Sequence, residues 1–144
     1  MPRSYASSVI GASPDTVWGF LRDFDRTPDY VEAIVRSEIL DGRPADQVGC
    51  QRRLTLADGA PVLERLVALS DLERSYTYRL LEGPFPFTGY CSTLRVSPVT
   101  EAGASFVEWW STYDCLPEHE KAMDDLLAGG LYAGGLASVR ARFG

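Results

Sequence analysis

Four charged residues sit where an apolar strand pair has no need of them. In "GCQRRLTLADGAPVLERLVALSD", residues 49–71, Arg52 and Arg53 interrupt one apolar run, and Glu64 and Arg65 interrupt the next. A carboxylate and a guanidinium turned into the interior could do two kinds of chemistry. They could orient the polar end of an otherwise apolar ligand. Alternatively, Glu64 could act as general acid or base while Arg52 or a nearby phenol such as Tyr90 stabilises developing negative charge. Stripping water from both ions costs several kcal/mol each, so an inward pair implies a partly hydrated cavity rather than a plain core.

Which way these side chains point depends on the turn between them. A two-residue Asp58-Gly59 turn sets Arg52 opposite Arg65 and Glu64 opposite Arg53. A three-residue loop with a bulge shifts the register by one and puts Arg52, Leu54 and Leu56 on the same face as Val62, Glu64 and Leu66. Directly opposed like charges are disfavoured, which argues against the first register. On the residues alone both registers stay open, as does a reading in which all four charges lie on a solvated face.

Three further segments alternate cleanly with period two, as strands packed on one side do. Tyr76, Tyr78 and Leu80 share a face; so do Tyr90, Ser92, Leu94 and Val96; so do Val107, Trp109, Ser111 and Tyr113. The inward set carries four phenols and two serine hydroxyls. Each needs a hydrogen-bond partner when buried, so this number of hydroxyls points to a lined pocket. The Pro-flanked pair Phe85 and Phe87 suits a lid at a pocket mouth.

Around these residues the chain reads as one α+β domain over residues 1–144. Residues 3–10 can form a first strand. Ser13, Pro14 and Asp15 then read as the cap and first turn of a helix that carries Val17, Leu21 and Phe24, with a break expected at Pro28. Six more strand segments follow through short turns, so the sheet should be antiparallel. The last 27 or so residues read as a long helix beginning at Pro117 and ending with Arg140 and Arg142, in accord with the helix dipole. Its apolar stripe runs Met123, Leu127, Leu131, Leu136, Val139 and Phe143, of which Leu127 and Leu131 are expected at the pocket. Two glycine pairs, Gly129-Gly130 and Gly134-Gly135, each cost about 1 kcal/mol per glycine in a helix interior. A close approach to the sheet, a kink beside a ligand, or a break in the helix would account for them.

A formal charge of −6 lacks the basic face of a nucleic-acid footprint. No apolar run is long enough to cross a membrane, and the N-terminus lacks a signal-peptide stretch. Three widely spaced cysteines fit a reducing, cytoplasmic setting. No cysteine pair or histidine cluster suggests a metal, and no cofactor is expected. Trp110 belongs on the convex face, packed under a loop or at a homodimer contact.

These features together resemble the helix-grip superfamily (SRPBCC, or START-like) of START domains, birch-pollen-type allergens and bacterial polyketide cyclase/dehydratase-like proteins. The resemblance is carried by "SPDTVWGFLRDFDRTPDY", "VGCQRRLTLADGAPVLERL", "DLERSYTYRLLEG" and the final helix. The chain is also similar to the plant abscisic-acid receptors in "FD…P..Y", "VGC.R" and "ERL". The resemblance implies a curved seven-stranded antiparallel sheet gripping the long C-terminal helix, with two short N-terminal helices and a cavity for apolar molecules. It implies that Arg52, Glu64, Tyr78, Leu80, Phe87, Tyr90, Ser92 and Trp109 look into that cavity, and it favours the bulged register, with Arg52 and Glu64 facing inward and close enough to pair. Two departures stand out: Val31 replaces the lysine that pairs with the hormone carboxylate, and Phe85-Pro86-Phe87 replaces the histidine-containing latch. Hormone binding and phosphatase regulation are therefore not expected. The expected partner is a polyketide-, lipid- or quinone-like small molecule. The alternative is a cyclase, dehydratase or lyase that uses Glu64 with Arg52 and Tyr90.

Overall fold

The computed structural model describes all 144 residues. Seven strands form one antiparallel sheet in the order β1-β7-β6-β5-β4-β3-β2. β1 (Arg3–Ile10) and β2 (Ile34–Ile39) are its edges. Between them run β3 (Gln51–Leu56), β4 (Pro61–Ser70), β5 (Ser75–Glu82), β6 (Thr88–Val99) and β7 (Ala104–Asp114). Register shifts in the β4–β5 pairing, between Leu66 and Ala68, and in the β6–β7 pairing, between Thr88 and Cys91, bend the sheet toward the helical layer. One connected core of 26 buried residues fills the concave side.

Helix α1 (Pro14–Leu21) begins as its residues suggest: Ser13 Oγ accepts from the Thr16 N–H, and Pro14 takes the first position. It ends earlier than the apolar spacing predicts. The Asp23 carboxylate accepts from the Asp25 N–H at 2.9 Å, an Asx turn that competes with helix continuation. Phe24 is still fully buried, but its carbonyl is left free to take an external donor. The second N-terminal helix is a single 3₁₀ turn, Thr27–Asp29.

Residues 117–143 form the helix that the sheet grips, and it is not uniform. A 3₁₀ turn (Pro117–His119) leads into α2 (Glu120–Asp124), a π-helical stretch (Asp125–Tyr132) and α3 (Ala133–Phe143). The Ala133 N–H is shared by the carbonyls of Ala128 and Gly130, five and three residues back. The helix therefore continues through both glycine pairs. Only Gly135 answers to a close approach: a Cβ there would lie 3.0 Å from Trp109 Cζ3 and 3.3 Å from Val31 Cγ2. No helix is long and apolar enough to cross a membrane.

Candidate functional site

The β3–β4 hairpin takes the three-residue loop. Arg52 pairs with Glu64, Leu54 with Val62, and the Leu56 N–H reaches the Ala60 carbonyl at 2.9 Å. Gly59 sits at φ +89°, the left-handed position such a loop needs. Arg52 and Glu64 therefore share the concave face, 1% and 6% exposed.

The pair is held tightly and unevenly. Arg52 Nε and Nη2 both donate to Glu64 Oε1, at 2.9 and 2.7 Å. Arg52 Nη1 donates to the freed Phe24 carbonyl at 2.6 Å and to Thr27 Oγ1 at 2.7 Å. The guanidinium also lies over the Phe24 ring, 3.8 Å from its centroid. Burial opposes its charge, but Glu64 and the surrounding phenols more than offset that, so Arg52 stays a cation. Glu64 Oε2, by contrast, receives no donor from the protein and is not sealed off. Burial raises the Glu64 carboxyl above its ordinary range, and Arg52 offsets only part of that rise.

Above this pair lies a narrow cavity with about 40 Å³ of free space, lined mainly by apolar and aromatic side chains. Eleven of the sixteen residues expected at the pocket line it. Arg52 and Glu64 make the polar floor. Leu54, Tyr78, Tyr90 and Trp109 form the sheet wall. Leu80, Phe85, Phe87, Leu127 and Leu131 surround the mouth, where Leu80, Phe85 and Leu131 are half-buried. Phe85, Phe87 and Tyr90 stack in sequence with centroids 5.2 and 5.1 Å apart.

Five expected residues do not reach the cavity, because their groups are committed elsewhere in the core. Leu66 is fully buried beside Tyr78 in the β4–β5 ladder. Tyr76 packs against Trp18 and Phe24, with its hydroxyl 3.4 Å from that of Tyr30. The Tyr113 hydroxyl bonds Ser4 Oγ at 2.8 Å. Ser92 Oγ donates to the Trp110 carbonyl at 3.0 Å and accepts from Trp109 Nε1 at 3.1 Å. Ser111 Oγ is buried without a partner in hydrogen-bond geometry. The inward hydroxyls thus largely satisfy one another, and their number overstates the polar lining.

Thr27, Ile34, Leu56 and Val62 line the cavity although the residue pattern does not single them out as ligand contacts. The larger omission is Tyr132. It is fully buried, its ring stacks on Trp109 at 4.5 Å between centroids, and its hydroxyl meets Tyr90 Oη and Ser92 Oγ. Burial pushes its pKa up to about 12. A signal was present: "AGGL" at residues 128–131 recurs at 133–136, and the apolar stripe steps by five from Leu131 to Leu136. Tyr132 is in α-helical phase with Leu136, Val139 and Phe143 but five residues from Leu127, the hydrogen-bond interval of a π-helix, so a stripe traced from Met123 through Leu127 and Leu131 passes it by.

A curved sheet closed by a C-terminal helix over an apolar cavity defines a Bet v1-like helix-grip protein of the SRPBCC superfamily. The chain belongs to the family described as polyketide cyclase / dehydrase and lipid transport, which matches residues 1–144. XoxI from Bacillus cereus is 34% identical, with a TM-score of 0.89 over 99% of this chain and 96% of that one. A protein from Bacillus thuringiensis is 33% identical, with a TM-score of 0.86 over 98% of each chain. Norcoclaurine synthase from Thalictrum flavum, a point mutant in complex with a transition-state analogue, shares the fold at 19% identity, with a TM-score of 0.76 over 98% of this chain and 92% of its own. A comparison with curated proteins gives no significant match.

Proposed function

We propose that this protein binds an apolar or aromatic small molecule, polyketide-, lipid- or quinone-like, between the sheet and the C-terminal helix. The observation that carries this reading is Glu64 Oε2, an acceptor without a protein donor at the base of an apolar cavity. Apolar walls supply affinity, and a ligand hydroxyl can take up that acceptor and fix orientation.

Free space of about 40 Å³ holds a few waters, whereas drug-sized ligands occupy roughly 300–1,000 Å³. A ligand of that size therefore requires mouth side chains to move. Leu131 faces both the cavity and an outer groove of about 640 Å³ between the helix and residues 28–33, which makes it the natural point of opening.

Native mass spectrometry of freshly purified protein tests the reading. A compound released on denaturation, or saturable binding from a panel of hydrophobic molecules, is the expected result. A bare protein that binds none of the panel would overturn it.

A second reading, a cyclase, dehydratase or lyase, is favoured by the same carboxylate. The upward shift of Glu64 moves it toward the range where a general acid or base is effective. Glu64→Gln should then keep ligand affinity within a fewfold and abolish turnover; equal loss of both would leave only a binding role.

A further inference from the structure

The β3–β4 hairpin turns two of its four charges inward and two outward. Of the outward pair, Arg53 is answered: it faces Glu38 across β2–β3 and donates to Glu38 Oε1 at 3.1 Å. Arg65 is not. Its cross-strand neighbours are Gln51 on one side and Arg79 on the other, and Arg79 in turn faces Cys91. These side chains lie on the convex face, opposite in parity to Arg52, Glu64 and Tyr78. Arg65 and Arg79 are exposed, and neither has a carboxylate within 4 Å. Like charges directly opposed across strands destabilise the pair. Further along the same face Arg95 shows the ordinary remedy, an ion pair with Glu73 at 3.1 Å.

A third guanidinium converges on the same place. Asp41 and Gly42 take left-handed backbone, at φ 61° and 62°, and the turn they make brings Arg43 over Gly49. A Cβ on Gly49 would lie 3.7 Å from Arg43 Nη1. Arg43, Gly49, Gln51, Arg65 and Asp41 surround an open polar pocket of about 290 Å³ with no apolar wall. Arg79 stands one strand beyond Arg65, about 4.8 Å further along the sheet. Arg43 also lacks an ion pair, so Asp41 is the single carboxylate at the pocket. Three arginines against Asp41 leave two positive charges uncompensated on one patch of a chain whose formal charge is −6.

We infer that this convex patch is a binding site for a phosphate-bearing anion, separate from the inner cavity and independent of what that cavity holds. A phosphomonoester carries about −1.5 to −2 charges at neutral pH, which matches the two uncompensated positive charges. The forked donors of Arg43 and Arg65 suit its oxygens, the Gln51 amide adds a neutral donor, and Arg79 supplies charge from the next strand. An anion held there also screens Arg65 from Arg79, which nothing in the chain does. A lone carboxylate is disfavoured, because its single charge leaves one cation unanswered and Asp41 repels it as strongly as it would a richer anion's nearest oxygen.

Titration of the full chain with glycerol phosphate, followed by backbone amide chemical shifts, tests this, with acetate as the singly charged control. Saturable shifts should centre on Arg43, Gln51, Arg65 and Arg79. Arg65→Gln and Arg79→Gln should each weaken binding at least fivefold. Arg140→Gln, which removes an exposed arginine of α3 that also lacks an ion pair, should leave it unchanged. All three side chains are exposed, so the variants keep the fold. Cosedimentation with phosphatidylcholine vesicles, with and without phosphatidic acid, separates the two sources of a phosphomonoester. Cosedimentation that requires phosphatidic acid and is lost in Arg65→Gln supports the site with a lipid-borne phosphate. Glycerol phosphate binding without cosedimentation supports it with a soluble one. Binding of neither probe, shifts confined to other residues, equal weakening by Arg140→Gln, or acetate binding as tight as glycerol phosphate overturns the inference.

Discussion

At the scale of single residues, the Arg52–Glu64 pair is where chemistry and stability meet. Removing one partner of a buried pair leaves an uncompensated charge, so Arg52→Ala should lower unfolding free energy by about 3–5 kcal/mol in urea titrations. Arg52→Met combined with Glu64→Leu should recover most of that loss, since an apolar pair needs no hydration. The pH dependence has a definite sign. The Glu64 carboxyl is raised in the fold, chiefly by burial. Its contribution is therefore present below the unfolded carboxylate pKa and is lost as pH climbs through the folded value. Glu64→Gln lacks this loss. The urea midpoint of wild type minus that of Glu64→Gln should fall between pH 4 and pH 7, and a difference that grows over that interval would contradict the assignment. The inward facing of Arg52 and Glu64 was only partly legible: charge opposition leans against one register, and the resemblance to helix-grip proteins favoured the other. The bonds to Phe24 O and Thr27 Oγ1 were not legible, because they depend on where α1 stops and on a turn 25 residues away in sequence.

At the scale of elements, a hairpin and a helix shape the site. Gly59 in its left-handed position sets the β3–β4 register, and that register turns one charge from each strand inward. In α3 the neighbouring glycines separate two effects. A methyl at Gly135 would press on Trp109 and Val31, so Gly135→Ala should destabilise by about 1–3 kcal/mol through overpacking. A methyl at Gly134 meets nothing within 4 Å, so Gly134→Ala should stabilise by up to about 1 kcal/mol. Chemical denaturation of the two variants side by side checks the contrast, and equal effects would show that the helix does not approach the sheet at Gly135. The spacing of apolar residues made the helix visible, but a stripe traced through Leu131 passed over Tyr132, which is in phase with Leu136 and Val139. A π-helical stretch changes which residues face the sheet while leaving composition and length as they were.

At the scale of the whole molecule, six buried phenols run through the interior. Burial pushes Tyr30, Tyr78 and Tyr90 well above the ordinary tyrosine range, raises Tyr76, and holds Tyr132 at about 12. A phenol whose pKa is raised in the fold contributes stability that is intact below its unfolded value near 10 and is lost as pH rises through the folded value. The melting temperature should therefore hold to about pH 10 and fall steeply by about pH 12, with phenolate absorbance appearing together with loss of circular dichroism. Phenolate formation well before unfolding would mean the core is open to solvent. The sequence by itself determined the sheet, the long C-terminal helix and the inward face of three strands, because period-two alternation and turn residues are local rules; the Asp58-Gly59 turn left two registers open, and the folded hairpin decided between them. Only the tertiary structure decided which hydroxyls bond one another, that Tyr132 closes over Trp109, and that the cavity is narrow. Each of those depends on side chains brought together from distant strands and on one irregular turn of helix, and no local period records them.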